Sequence, residues 1–127
     1  MAFNPASVYQ GSKINTATPA DLTLMLYEGA IKFCNIAMTG IKENDMNKAN
    51  TNIIKAEKII TEFRATLDHK YPVAKEFDLV YDYIYRRLIY ANIKKDVAIL
   101  EEVLEHLRGM RDTWKEVMKT SRTPAGK

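Results

Sequence analysis

The chain has few of the residues that build disulfide-rich, fibrous or membrane-spanning proteins. Its 127 residues include one cysteine, four prolines and five glycines. A single cysteine, Cys34, cannot form an internal disulfide and is typical of a reducing compartment. The most apolar stretch, residues 22–38, contains Glu28 and Lys32 and is short for a membrane span, so no membrane insertion is expected. The composition that remains, 46% hydrophobic and 28% charged, is typical of a soluble helical domain.

Blocks of like charge are also missing. The net charge is +3, and Lys and Arg alternate with Asp and Glu along the chain, so nothing indicates a nucleic-acid partner. The opening "MAFNPASVYQGSK" lacks the basic start and apolar core of a secretory signal. We therefore predict a cytoplasmic protein without a nucleic-acid partner.

Residues arranged for catalysis or metal binding are scarce. A di-iron bundle needs Glu-x-x-His pairs, but His106 follows Glu102 by four positions and His69 has no Glu three before it. Cys34 has no paired His, and no Gly-rich phosphate loop is present. We predict no enzyme activity, metal or cofactor. An exposed His106 on a helical bundle leaves one alternative open, a histidine phosphotransfer domain.

Four helices with short connections are predicted between two irregular ends. The capping sequence "TPAD" opens the first helix, and apolar residues that recur every three or four positions mark the others. The second helix is expected to begin at a cap at Asn44 or Asp45, and the third near Pro72. Short connections make successive helices antiparallel. The prediction is an all-α, up-down-up-down four-helix bundle at 18–119, with an N-terminal arm at 1–17 and a flexible C-terminal tail at 120–127.

The first helix carries more apolar surface than one core-facing stripe requires. Its clearly polar side chains fall within roughly 60° of its circumference, whereas a bundle helix usually buries a stripe of ~100° or somewhat more. Leaving a second apolar stripe in water would forgo on the order of 10 kcal/mol of burial, so we expect a partner to cover it. The candidate partner-binding residues of this stripe are Leu24, Tyr27, Ile31, Cys34 and Met38.

The third helix shows a smaller excess of the same kind. Leu79, Tyr83 and Tyr90 point away from its core face, and tyrosine is enriched where partners dock. Parallel apolar rows form the kind of groove that receives an amphipathic segment of another chain. The competing interpretation is that the first helix is central in the bundle and is covered by its neighbours and by the N-terminal arm.

Four blocks of the sequence resemble the FliS family of flagellin-specific export chaperones. They have the order and spacing of that family, cover nearly the whole chain, and are joined by a matching arm tyrosine, Tyr9. The stretch "HKYPVAKEF" at 69–77 departs from the family, because many relatives carry a Gly-rich turn there. The blocks are "TPADLTLMLYEGAIKF", "KAEKIITEFRATLD", "LVYDYIYRRLIYANIKKD" and "LEEVLEHLRGMRDTWKE".

The resemblance implies a cytoplasmic chaperone that binds the disordered C-terminal segment of flagellin, prevents premature polymerisation and keeps the subunit ready for export. It also adds the flagellar export apparatus and other flagellar regulators as further partners. It implies that the arm, anchored through Val8 and Tyr9, occupies part of the site when the client is absent. A generic adaptor or regulator that binds another helical partner stays open as an alternative.

Overall fold

Local capping signals set where the helices begin and end. A computed structural model of the chain describes residues 18–70 and 72–122, the last three without their side chains. The predicted arm with Val8 and Tyr9 lies outside the described residues, as do residues 123–127 of the predicted tail. The helices are α1 (Pro19–Lys42), α2 (Met46–Thr66), α3 (Ala74–Lys94) and α4 (Val97–Arg122).

The start of α1 is a complete capping box. The Thr18 side chain accepts a hydrogen bond from the backbone N–H of Asp21 at 3.1 Å, and the Asp21 carboxylate accepts one from the backbone N–H of Thr18 at 3.1 Å. Pro19 occupies the first helical turn, where a missing N–H does no harm. The predicted helix start is confirmed.

The turn from α1 to α2 is tight and brings the two helices close together. Asn44 adopts a left-handed backbone with φ of 61°, and the backbone N–H of Asp45 donates to the Gly40 carbonyl at 2.7 Å. The Asp45 side chain then caps α2 by accepting from the backbone N–H of Lys48 at 3.0 Å. Of the two predicted caps, Asp45 is the one used.

The third and fourth helices begin and end close to the predicted positions. Helix α3 begins at Ala74, two residues after the expected Pro72, and no side-chain hydrogen bond caps it. It ends at Lys94, and the left-handed backbone of the next residue, Lys95, directs the chain into α4. Helix α4 continues to Arg122, so the first three residues of the predicted tail are helical.

Each helix packs against the two beside it, in the order α1, α2, α3, α4 and back to α1. This arrangement confirms the predicted all-α bundle with antiparallel successive helices. Within the described residues, no helix is both long and apolar enough to cross a membrane. The largest fully buried side chains come from α2, α3 and α4, and they include Ile53, Ile59, Ile60, Ile84, Leu88, Leu100, Leu104 and Leu107.

Candidate functional site

An apolar groove of about 710 Å³ lies between the first half of α3 and the second half of α4. Its walls are two rows of apolar side chains with the spacing of one helical face, four residues and then three. Residues from both walls reach the surface, since Val73 and Val117 are 45% and 44% exposed. The first row is Val73, just before α3, with Phe77 and Val80 on α3. The second row is Met110, Trp114 and Val117 on α4, with Gly109, Glu105, His106 and Thr113 beside it.

The base of the groove is formed by buried aromatic rings. Tyr27 of α1 lines the groove, and its ring lies 4.5 Å from that of Phe63, which lies 5.3 Å from that of Tyr81. The Tyr27 and Tyr81 hydroxyls are hydrogen-bonded at 2.6 Å. Burial raises the pKa of both phenols above the ordinary value, so both stay neutral and satisfy each other.

Polar contacts next to the groove tie α3 to α4. The Glu102 carboxylate accepts hydrogen bonds from the Tyr83 hydroxyl and from Arg87 Nε, the latter at 3.0 Å. The hydrogen bond from Tyr83, followed by the hydrogen bond and positive charge of Arg87, lowers the pKa of Glu102. We call Tyr83, Arg87 and Glu102 the Glu102 clasp. Tyr83 and Glu102 lie about one turn beyond the groove on α3 and α4, and Arg87 lies one turn further along α3, so the clasp holds the two walls together at that end.

At the other end, the start of α1 is fixed beside the groove. The indole Nε1 of Trp114 donates to the carbonyl of Ala20 at 3.1 Å. Thr18, where the described chain begins, is two residues before Ala20. The described chain therefore begins next to a groove wall.

Most of the predicted stripe on α1 is buried by the chain itself. Tyr27 and Ile31 are only 4% and 9% exposed, and Cys34 and Met38 are buried as well, whereas Leu24 is half-buried. The expectation that a partner must cover this stripe is therefore wrong for these four residues. The physical reason is that α1 packs against both α2 and α4, which is the competing interpretation of its excess apolar surface.

Tyr27 lines the groove, whereas Cys34 is a core residue that does not. Burial raises the pKa of the Cys34 thiol to about 12, so it is a neutral core side chain. Tyr27 alone of the five predicted α1 residues is among those that line the groove. Direct contact of a partner with the other four stays a prediction.

The three residues predicted on α3 lie outside the core, as expected. Leu79 is 64% exposed, Tyr90 is also exposed, and Tyr83 is half-buried in the Glu102 clasp. The Arg87 and Lys94 side chains approach the Tyr90 ring, with their charged atoms 5.5 and 5.8 Å from its centre. Leu79 lies beside the groove, and Tyr83 and Tyr90 continue this surface of α3 beyond it.

Helical periodicity assigned most of the groove residues to the core. Val73, Phe77 and Val80 belong to the apolar face of α3, and Met110, Trp114 and Val117 to that of α4, so their sequence pattern is that of buried residues. The one irregular signal was Gly109, a glycine inside a strongly periodic helix. Among the described residues, no group of three or more His, Cys, Asp or Glu side chains is placed to hold a metal ion.

His106 lies on the groove rim, where the phosphotransfer alternative needs an exposed imidazole. Its Nε2 atom is 3.9 Å from a Glu102 oxygen, and its ring meets the edge of Tyr83 with 5.6 Å between ring centres. His106 also lines the apolar groove. Its position therefore fits a rim residue of a binding groove as well as it fits a phosphotransfer histidine.

A helical bundle that offers two apolar walls and a hydrophobic base defines a binding module for a helical segment of another chain. Comparison with known families gives the particular group. The family model described as "Flagellar protein FliS" matches residues 2–121. The chain belongs to the FliS family.

Three relatives, each named flagellar secretion chaperone FliS, illustrate the similarity. The Bacillus subtilis (strain 168) protein is 44% identical over 119 residues, which covers 94% of this chain and 90% of the relative. The Escherichia coli (strain K12) protein is 31% identical, covering 83% of this chain and 79% of the relative. The Salmonella typhimurium protein is 30% identical, with coverages of 88% and 85%. Since this is a family of chaperones and not of enzymes, membership removes the phosphotransfer alternative.

Proposed function

We propose that this protein is a cytoplasmic flagellar secretion chaperone, and that it binds the C-terminal segment of flagellin in the groove between α3 and α4. The observation that supports this site is the pair of facing apolar rows with helical spacing. An amphipathic helix presents anchors at the same spacing, so its apolar face can be received between the rows. From Glu105 to Val117 the groove follows α4 for about 18 Å, which suits a client helix of about three turns.

Binding of this kind couples folding of the client to association. A disordered segment that folds on a surface loses several kcal/mol to ordering, so the contact must bury much apolar area to be favourable. Val73, Val117 and the half-buried Phe77 offer such area. While bound, the client's own apolar face is hidden from other flagellin subunits, which prevents premature polymerisation and keeps the subunit export-competent.

The client surface extends beyond the groove in this proposal. On α3, Leu79 lies beside the groove, Tyr83 is part of the Glu102 clasp and Tyr90 lies past it, and a longer client segment reaches all three. Leu24 is accessible in part on α1. Tyr27 contacts the client from the base of the groove. The buried Ile31, Cys34 and Met38 act from the core, by holding α1 in place. The export apparatus and other flagellar regulators then use surfaces outside the occupied groove.

The N-terminal arm is proposed as the occupant of the groove when no client is bound. It leaves the described structure at Thr18, close to the bond between Trp114 and Ala20. Tyr9 is nine positions before Thr18, which spans up to about 30 Å in an extended chain, so Val8 and Tyr9 can reach the groove walls. The arm would cover the groove and so prevent unrelated apolar partners from binding there until the client displaces it.

Titration with full-length flagellin and with flagellin lacking its C-terminal segment tests the client. We expect only the full-length protein to bind; equal binding of both would favour the generic adaptor. Titration of Val117→Asp tests the groove, since the substitution places a charge on an apolar wall and should weaken binding at least tenfold. Ile54→Asp, at a comparably exposed apolar position on α2, is the matched control. Unchanged binding by a folded Val117→Asp variant would exclude the groove as the site.

A further inference from the structure

Gly109 lies in the middle of α4 and lines the groove, yet the described chain gives no internal reason for a glycine there. A Cβ atom built at this position meets no described atom within 4 Å. At Gly40, by contrast, a Cβ would lie 2.9 Å from the backbone nitrogen of Ala49, so a side chain is excluded by packing. Because a glycine inside a helix is destabilising relative to alanine, the open space at Gly109 calls for a different explanation.

The surroundings of Gly109 indicate what the missing side chain makes room for. Met110 belongs to the apolar wall of α4, and Thr113, one turn further on, also lines the groove. Phe77 and Val80 form the facing wall on α3. Gly109, beside the α4 row, therefore leaves a depression in the α4 wall, where the backbone can be approached more closely than at a neighbouring residue with a side chain.

We infer that Gly109 is a specificity-determining residue of the chaperone: it receives a large apolar side chain of the client helix against the backbone of α4. This inference rests on the proposed binding of the flagellin C-terminal segment in the same groove. The depression fixes the register of the client helix, because only one of its anchors can enter it. A client with a small or polar residue at that anchor position binds less tightly.

The test compares Gly109→Ala and Gly109→Leu in the full chain, with Ala98→Leu as the matched control. Ala98 is an exposed residue at the start of the same helix, outside the groove. Gly109→Ala should raise the melting temperature by a few degrees, since alanine favours the helix, and yet weaken flagellin binding several-fold. Gly109→Leu should fill the depression and weaken binding at least tenfold. Ala98→Leu should bind flagellin as the unaltered protein does.

The opposite changes in stability and affinity separate a binding role from a structural one. If both Gly109 variants lower the melting temperature, the glycine serves the fold and the inference is overturned. If Gly109→Leu binds flagellin normally while Val117→Asp does not, the inference fails but the proposed groove stands. If Gly109→Leu and Val117→Asp both bind flagellin normally, the groove is not the client site, and the proposed site fails together with the inference.

Discussion

The hydroxyl groups of Tyr27 and Tyr81 meet at 2.6 Å in the interior of the bundle and join α1 to α3, which lie on opposite sides of the ring of helices. Both side chains are almost fully buried, and the Phe63 ring of α2 lies against both. Each hydroxyl is the other's hydrogen-bond partner in a region closed to water. This contact fixes the aromatic base of the groove relative to its α3 wall.

Removing both hydroxyls should therefore cost less free energy of unfolding than the sum of removing each one alone. Tyr81→Phe leaves the Tyr27 hydroxyl buried without its partner and should lower the free energy of unfolding by about 1–3 kcal/mol. Tyr27→Phe/Tyr81→Phe removes the unsatisfied group as well, so its loss should be smaller than the sum of the single losses. Urea denaturation of the four proteins measures the coupling. Strict additivity would show that the hydrogen bond contributes nothing, and Tyr90→Phe, on the surface, controls for the loss of a tyrosine hydroxyl.

The same pair predicts a loss of stability at alkaline pH. Burial raises the pKa of Tyr27 and Tyr81 above the unfolded value of 10.0, so the unfolded chain releases these protons first as the pH rises. Their contribution is complete below about pH 10 and falls above it, because the folded state then holds more protons than the unfolded state. Urea midpoints across this range should fall more steeply for the unaltered protein than for Tyr27→Phe/Tyr81→Phe. Equal slopes would mean that neither phenol is shielded from water.

The close approach of α1 and α2 at their turn requires a glycine at position 40. A Cβ atom there would lie 2.9 Å from the backbone nitrogen of Ala49 and 3.0 Å from the carbonyl oxygen of Asp45, and neither backbone atom can move without shifting α2. Gly40→Ala should lower the free energy of unfolding by about 1–3 kcal/mol, despite the better helix propensity of alanine. Thermal and urea denaturation of Gly40→Ala and of the unaltered protein measure this loss. A stabilising effect of Gly40→Ala would show that the helices are further apart than described.

The fold could be predicted from sequence because its signals are local. The capping box of Thr18 and Asp21 and the cap at Asp45 are set by residues a few positions apart, and the apolar spacing in each helix is equally local. The start of α3 is predicted near Pro72 and lies two residues later, at Ala74. Proline suits a first helical turn, but here it lies in a turn that precedes the helix.

The site could be predicted only in part, because periodicity shows which residues share a helical face but not how many neighbours cover it. Met38 appeared uncovered when α1 was considered alone, yet the flanking helices bury it. Val73 and Val117 showed the opposite, since their spacing is that of core residues and their position in the bundle exposes them. The exposure of Leu79 is predicted correctly because its helical position points away from the core face of α3.

Ile31 distinguishes the two interpretations of α1. An uncovered apolar stripe predicts that Ile31→Asp spares the fold and weakens client binding, whereas a side chain that is only 9% exposed predicts damage to the bundle. We expect Ile31→Asp to lower the free energy of unfolding by about 3 kcal/mol or more, because a carboxylate would be buried without a partner. Leu79→Asp makes a similar change at a 64% exposed position and should shift stability by no more than about 0.5 kcal/mol. Circular dichroism during urea denaturation compares the two. An Ile31→Asp variant that unfolds like the unaltered protein but no longer binds flagellin would restore the uncovered stripe as the client surface.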